Sequence, residues 1–392
     1  MRIKRGKGRA DLALEQLKQE LEFLLSTAVQ KKIFPGAAVG ISGIVGGSRE
    51  ELLISIGNAC LIPERVPMEK EVIFDLASLS KPLATTLAVL CLIKEKKIEL
   101  EQSLGDLLQK PVDKNKGSIT LRHLLAHASG FPAHRDYYKE LVRYPPADRK
   151  EIIIDWIIKE ELLYRPGSQS LYSDLGYILL GNIIEKKSDQ RLDRLVADKI
   201  MKLLGLEKGI FFIPFADDNR EVLLKNKIFA ATEECPWRHK VLCGEVHDDN
   251  AHALGGVAGH AGLFGDIESV LRLITLLLDM WQDKKDHPNI SNADLQRFMI
   301  RQSDIDKSTW ALGFDTPAAR GSSSGKYLSA TSVGHLGFTG TSFWIDREKD
   351  LGIVLLTNRV HPRRDNVGLK KFRPLFHDAV VKRYIRLRKD LS

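Results

Sequence analysis

Apolar residues recur along this chain with two different periods, and the switch between them divides it into three parts. Near the start, Leu14, Leu17, Leu21, Leu24, Leu25 and Ala28 fall at i, i+3 and i+4, the stripe of an amphipathic helix, and Pro35-Gly36 closes that region. AAVGISGIV (37–45) and ELLISIG (51–57) read as two strands around a Gly-Gly-Ser turn. The middle of the chain takes helical spacing. It predicts helices at 81–98, at 121–128 with Thr120 as N-cap, at 151–163 and at 176–187, then a leucine-rich stretch at 191–205 and a helix at 266–281. The last part returns to strands, SFWIDRE (342–348) and LGIVLLTN (351–358). The second is a continuous apolar run, as in a strand buried on both faces. A basic amphipathic helix over 371–388 follows, and GSSSGK (321–326) reads as a flexible loop.

This order predicts an α+β fold in which a helical region is inserted between the two halves of a sheet. The sheet part takes about 10–75 and 305–388 and the helical part about 76–304, in one domain over 10–388 behind a basic tail at 1–9. At 392 residues and 43% hydrophobic, the chain can bury a sizeable core.

The net charge is +8, and much of the excess is terminal, in Arg2, Lys4, Arg5, Lys7 and Arg9 and in Lys382, Arg383, Arg386, Arg388 and Lys389. Such runs read as solvated tails, and no aromatic-interleaved basic patch or zinc-finger spacing points to nucleic acid. Cys60, Cys91, Cys235 and Cys243 form no C-x-x-C pair, so reduced thiols are expected, with Cys91 in core packing. The basic N-terminus is not followed by the apolar stretch of a signal peptide. No apolar run approaches the roughly 20 residues that span a bilayer, so no integral membrane segment and a cytoplasmic location are expected.

Three short motifs carry candidate chemistry. Ser78-Leu79-Ser80-Lys81 reads S-x-x-K at the start of a helix, where residues three apart share a face and Lys81 can lie beside Ser78. A serine hydroxyl is a weak nucleophile until a base takes its proton, and lysine can do so when neutral. Ser80 is a poorer candidate, because adjacent helical residues point to different sides. Tyr172-Ser173-Asp174 follows Pro166-Gly167 and precedes a helix. A tyrosine there can relay a proton if a nearby lysine stabilises its phenolate. In Gly334-His335-Leu336-Gly337-Phe338-Thr339-Gly340-Thr341 the glycines let an edge strand approach a ligand and offer N–H groups to an oxyanion.

Taken in this order, the motifs resemble those of the serine beta-lactamase and penicillin-binding-protein family, in its class C-like branch. FDLASLSKPLATT (74–86) looks like that family's nucleophile helix, LRHLLAHASGFP (121–132) its LLxHxSG segment, PGSQSLYSDLGYILLGNIIE (166–185) its tyrosine loop, and 335–362 its last strands. The resemblance covers roughly 30–385. It implies an antiparallel sheet flanked by N- and C-terminal helices, beside a helical subdomain with the site in the cleft between them. It implies that Ser78 is the acylated nucleophile and that Lys81 and Tyr172 handle the protons. It also implies that Asp174, His335, Gly337 and Phe338 serve substrate binding and the oxyanion hole, the latter built from the N–H groups of Ser78 and Phe338. No cofactor and no metal are implied.

The implied activity is hydrolysis of an amide or ester in a small-molecule or peptide substrate. Candidates are a muropeptide, a D-Ala peptide or a small ester, with a class C beta-lactamase as the alternative. The missing export signal weighs against a beta-lactam. A non-catalytic binding module on the same fold is the alternative of another class, which intact Ser78, Lys81 and Tyr172 oppose. Two positions depart from the family. Asp174 stands where class C enzymes carry Asn, and a carboxylate there favours Lys81 as a cation. His335 stands where a lysine is common, so its charge, and its hold on anionic substrates, is expected to fade near pH 6–7. GEVHDDNAHALGGVAGHAGLFG (244–265) resembles a segment of the cell-wall branch. Its glycines and alanines suit tight packing near the cleft, and His247 and Asp248 suit hydrogen bonding there or in a plain loop, while a metal site lacks the usual ligand spacing.

Overall fold

The computed structural model describes residues 2–217, 220–302, 304–305 and 308–391, with side chains from 12 to 390. Three strands come first, β1 (Gly36–Val45), β2 (Ser48–Cys60) and β3 (Val66–Pro67). Within the helical stretch lie β4 (Phe74–Asp75), β5 (Ile210–Phe212), the hairpin β6 (Glu234–Cys235) and β7 (Lys240–Val241), and β8 (Leu263–Gly265). The chain closes with β9 (Val333–Leu336), β10 (Ser342–Asp346) and β11 (Leu351–Thr357).

The main sheet is antiparallel, in the order β3-β2-β1-β11-β10-β9. The two ends of the sequence meet at its centre, with Ala37 opposite Thr357 and Gly43 opposite Leu351. All seven residues of β11 are buried, because both faces of the sheet are covered. Leu351, Ile353 and Leu355 face the terminal helices Arg2–Gln30 and Leu369–Leu391, among Leu17, Leu21, Phe372 and Phe376. Val354 and Leu356 face the helical layer, whose nearest member is the helix Ile267–Trp281. At Gly40 that helix comes so close that a Cβ would stand 3.2 Å from Leu271 Cβ. The α+β expectation and the split sheet therefore hold, with the terminal helices on one face and the inserted helices on the other.

Several boundaries differ from the sequence reading. The backbone of 2–9, expected as a tail, continues the first helix from Arg2, since extending a formed helix adds one hydrogen bond per residue fixed; the basic side chains there lie outside the described ones. The helix expected over 81–98 is composite. It begins as a 3₁₀ turn at Ala77–Leu79, widens to a π turn at Lys81–Thr86 and becomes α-helix at Leu87–Lys94. It stops there because Lys96 takes a left-handed φ of 58°. Contrary to the sequence expectation, Ala77–Lys94 is, at 18 residues, long and apolar enough to cross a bilayer, but it is 83% buried as the core of the helical layer. The loop at 321–326 is tethered, with the Lys326 N–H donating to Asp378 Oδ1 at 2.6 Å and Ser323 O bonded to His377 Nδ1 at 2.8 Å.

Leu83 sits fully buried in the π turn that carries Lys81. Leu83→Ala is expected to cost about 2–5 kcal/mol, lowering the urea midpoint with little change in slope. A parental midpoint would contradict this packing.

Candidate active site

Ser78 stands in the first turn of the composite helix, directly after β4. Asp75 holds that entry. Its Oδ1 accepts the Ala77 N–H at 2.8 Å and its Oδ2 accepts the His247 N–H at 2.6 Å. Ala77 takes a φ of 50°, a conformation that costs a non-glycine residue about 1–3 kcal/mol and is met most often at functional sites. The Ser78 N–H belongs to the first helical turn, where no intrahelical acceptor exists.

Lys81 follows one turn later, and its side chain is fully buried. Its Nζ lies 3.1 Å from Ser78 Oγ, 3.0 Å from His260 O and 2.8 Å from Asp174 Oδ1. Burial works to raise the Asp174 carboxyl, but the Lys81 ammonium and the His134 hydrogen bond override it and hold the group well below the usual range. Tyr172 lies over the same ammonium, with Nζ 4.9 Å from its ring centre, and its hydroxyl bonds to Ser78. Burial, reinforced by the Asp174 charge, pushes the Tyr172 phenol well above its ordinary value. That direction favours Tyr172 as a neutral donor in the resting site.

The tyrosine loop is fixed by the 121–128 segment. His127 Nδ1 accepts the Ser173 N–H at 3.1 Å, and its ring packs 4.6 Å from that of Tyr172 and 4.4 Å from that of Trp310. Ser173 then caps the helix Asp174–Ser188.

The turn after β9 is fastened to the entry of Ser78. Thr339 Oγ1 donates to Asp75 O at 2.8 Å, and Thr341 Oγ1 donates to Leu76 O at 2.9 Å. Gly337 has no room for a side chain, since a Cβ would stand 2.0 Å from Thr341 Oγ1 and 2.8 Å from Leu76 O. Arg373, from the closing helix, donates to Gly337 O at 3.2 Å and Thr341 O at 2.8 Å. Arg359 donates to Phe338 O at 2.6 Å. Among the described residues the Phe338 N–H has no backbone acceptor, so it is available to a ligand oxygen.

His335 needs a correction. Its Nδ1 pairs with Leu336 O at 2.9 Å, and its Nε2 is buried without a partner. Burial, followed by the nearby Lys81 cation, pushes the imidazole down to about 3. It is neutral throughout pH 5–8, so it is not the cation whose loss was expected to weaken anion binding near pH 6–7.

The 244–265 segment forms one wall of the cleft. Its acids and histidines pair with each other and with cations. His247 lies 3.1 Å from Glu233, which also binds Arg364; His260 lies 2.8 Å from Asp248, and His252 3.0 Å from Glu245. Asp249 pairs with Arg238 at 2.7 Å. Among the described residues no group of three or more His, Cys, Asp or Glu is placed to hold a metal ion.

Ser78, Tyr172, Asp174, His335, Gly337 and Phe338 all line one cleft of about 750 Å³, with Lys81 buried behind them. Sequence reasoning missed Asp75, His134 and Asp315. His134 Nδ1 meets Asp174 Oδ2 at 3.4 Å, and burial pushes the Asp315 carboxyl up to about 6. None of the three carried a spacing signal, because His134 and Asp315 lie outside helices and strands and Asp75 ends the two-residue strand β4.

A profile of the beta-lactamase family matches residues 25–375. An N-acetylmuramyl-L-alanine amidase of Bacillus subtilis (strain 168) is 32% identical over 327 residues, covering 77% of this chain and 71% of that protein. A protein of Escherichia coli (strain K12) named "Putative D-alanyl-D-alanine carboxypeptidase" is 31% identical over 316 residues, covering 77% and 72%. Among solved structures, the octameric penicillin-binding protein homologue from Pyrococcus abyssi superimposes with a TM-score of 0.70 at 19% identity, over 91% of this chain and 77% of that one. EstCE1, described as a hydrolase with promiscuous acyltransferase activity, gives 0.69 at 21% identity, over 95% and 99%.

The depressed His335 has a measurable signature. The unfolded chain binds a proton at this imidazole near pH 6.5, whereas the folded chain refuses it until about pH 3. Stability is therefore lost as pH falls through that window. The His335 ring resonances should stay flat from pH 8 to 5, and His335→Gln should soften acid unfolding. A midpoint near 6.5 would refute the assignment.

Proposed function

The chain belongs to the beta-lactamase family of serine hydrolases, and from that premise we propose that it cleaves amide bonds of cell-wall peptides through an acyl-enzyme on Ser78. The observation that carries this reading is Lys81, fully buried and held between Ser78 Oγ at 3.1 Å and Asp174 Oδ1 at 2.8 Å. In the proposed course, Ser78 Oγ attacks the substrate carbonyl as Lys81 takes its proton. The carbonyl oxygen becomes an oxyanion against the N–H groups of Ser78 and Phe338, which are held in place before the substrate arrives. The Tyr172 hydroxyl, already protonated, delivers a proton to the leaving amine and is restored by Lys81. Water then attacks the acyl-enzyme by the reverse route.

The substrate class rests on two supports. The first is the names of the relatives, an amidase and a carboxypeptidase of cell-wall peptides. The second is the cleft itself. At about 750 Å³ it suits a ligand of several residues. Arg359, Lys370 and Arg373 line it, and among the described residues none of them pairs with a carboxylate. Muropeptides carry free carboxylates, and these three cations are where we place their recognition, since His335 is neutral. A neutral His335 in turn favours esters as a second substrate class, because an ester makes no demand for a cation at that point. It disfavours efficient beta-lactam hydrolysis.

Two measurements test the reading. Ser78→Ala should lower turnover of both a muramyl peptide and a chromogenic short-chain ester by about 10³-fold or more, with the fold intact by circular dichroism. Retained turnover would refute Ser78 as nucleophile. Lys370→Ala, at an exposed position, should raise KM about fivefold for the carboxylate-bearing peptide with kcat unchanged, and leave the ester untouched. Equal effects on both substrates would remove Lys370 from recognition.

A further inference from the structure

A carboxylate beside a buried amine favours the charged amine, and a charged amine cannot accept the Ser78 proton. Asp174 thus creates a difficulty for the chemistry proposed above, and its other oxygen points to the remedy. Oδ1 meets Lys81 Nζ at 2.8 Å, and Oδ2 meets His134 Nδ1 at 3.4 Å. We propose that His134 is a positioning residue that shares the Asp174 carboxylate with Lys81 and so sets how firmly the lysine is held as a cation. The proposal rests on the Ser78–Lys81 reading and deepens it.

The two bases differ in access to water. The Lys81 side chain is 0% exposed and that of His134 is 44% exposed, so the imidazole at the cleft mouth exchanges protons with solvent directly. When it carries a proton, Asp174 divides its charge between two cations and its grip on Lys81 weakens. The proton balance is plain. The imidazole gains one proton from water and Lys81 Nζ releases one to the cleft. Nζ then takes the proton of Ser78 Oγ as that oxygen bonds to the acyl carbon.

The groups facing His134 support this coupling. Asp136, on the same loop, lies 3.4 Å from its Nε2 but is drawn off by Lys139 at 2.7 Å. Asp248, from the far wall, also acts on it but is paired with His260 at 2.8 Å. Asp174, from the helix Asp174–Ser188, is the dominant partner, and its hydrogen bond raises the imidazole above its ordinary value despite partial burial. The form with the weakened grip is the protonated one, so the gain that His134 gives kcat should fade as pH rises through that raised value.

The test compares the parent, His134→Ala, Asp174→Asn and the double variant on one chromogenic ester between about pH 5 and 9, with Ser78→Ala alongside. His134→Ala should lower kcat about tenfold at the acidic end, leave KM nearly unchanged and converge on the parent at the alkaline end. In the Asp174→Asn background the same change should alter kcat by less than about twofold. The His134 imidazole, followed by NMR, should titrate at lower pH in Asp174→Asn than in the parent. A parental kcat and pH profile in His134→Ala, an equal loss with and without Asp174, or an unmoved His134 titration would each overturn the inference. If those results come with a dead Ser78→Ala, only this inference falls. Full turnover in Ser78→Ala would bring down the reading beneath it as well.

Discussion

A fully buried lysine imposes the main constraint on this molecule. An ammonium removed from water is costly unless its protons find acceptors and its charge finds a counterion. Lys81 finds them in three separate stretches of chain, the Ser78 hydroxyl, the His260 carbonyl and the Asp174 carboxylate. The nucleophile helix, the tyrosine loop and the 244–265 segment therefore cannot drift apart without stranding a charge. What looks like a catalytic cluster is also the point where the helical layer is tied together. The depressed imidazoles of His335 and His127 follow from the same source, since each is buried and each lies in the field of Lys81.

The second tie runs between the layers. The turn after β9 belongs to the sheet, yet Thr339 and Thr341 bind the main chain at Asp75 and Leu76, just before the nucleophile. Arg373 reaches the same turn from the closing helix. The two N–H groups proposed for the oxyanion thus come from different layers but share one set of hydrogen bonds, which keeps their separation fixed. Asp75 adds a third partner by binding the His247 N–H.

Much of this was legible in the sequence, for identifiable reasons. The strands at 37–45 and 351–358 were readable because both are largely apolar runs in a sheet covered on both faces. Ser78 and Lys81 were readable because spacing on a helix fixes which side chains meet. Tyr172, Asp174 and Phe338 needed the family resemblance, since loops and the first residue of a helix carry no period. What stayed hidden was electrostatic. Nothing in the letters shows that His335 is buried beside a cation, that the Tyr172 phenol stays protonated, or that His134 folds back onto Asp174. The composite start of the Ser78 helix was hidden too, because a π turn depends on what packs around it.

The pairing of β1 with β11 bears on how the molecule is made. Gly36 and Asn358 are hydrogen-bonded across 322 positions of sequence. A ribosome releases the serine and its lysine well before the strand that completes the sheet, the turn that faces the serine and the arginine that braces that turn. A growing chain therefore carries the hydroxyl without its anion-stabilising partner.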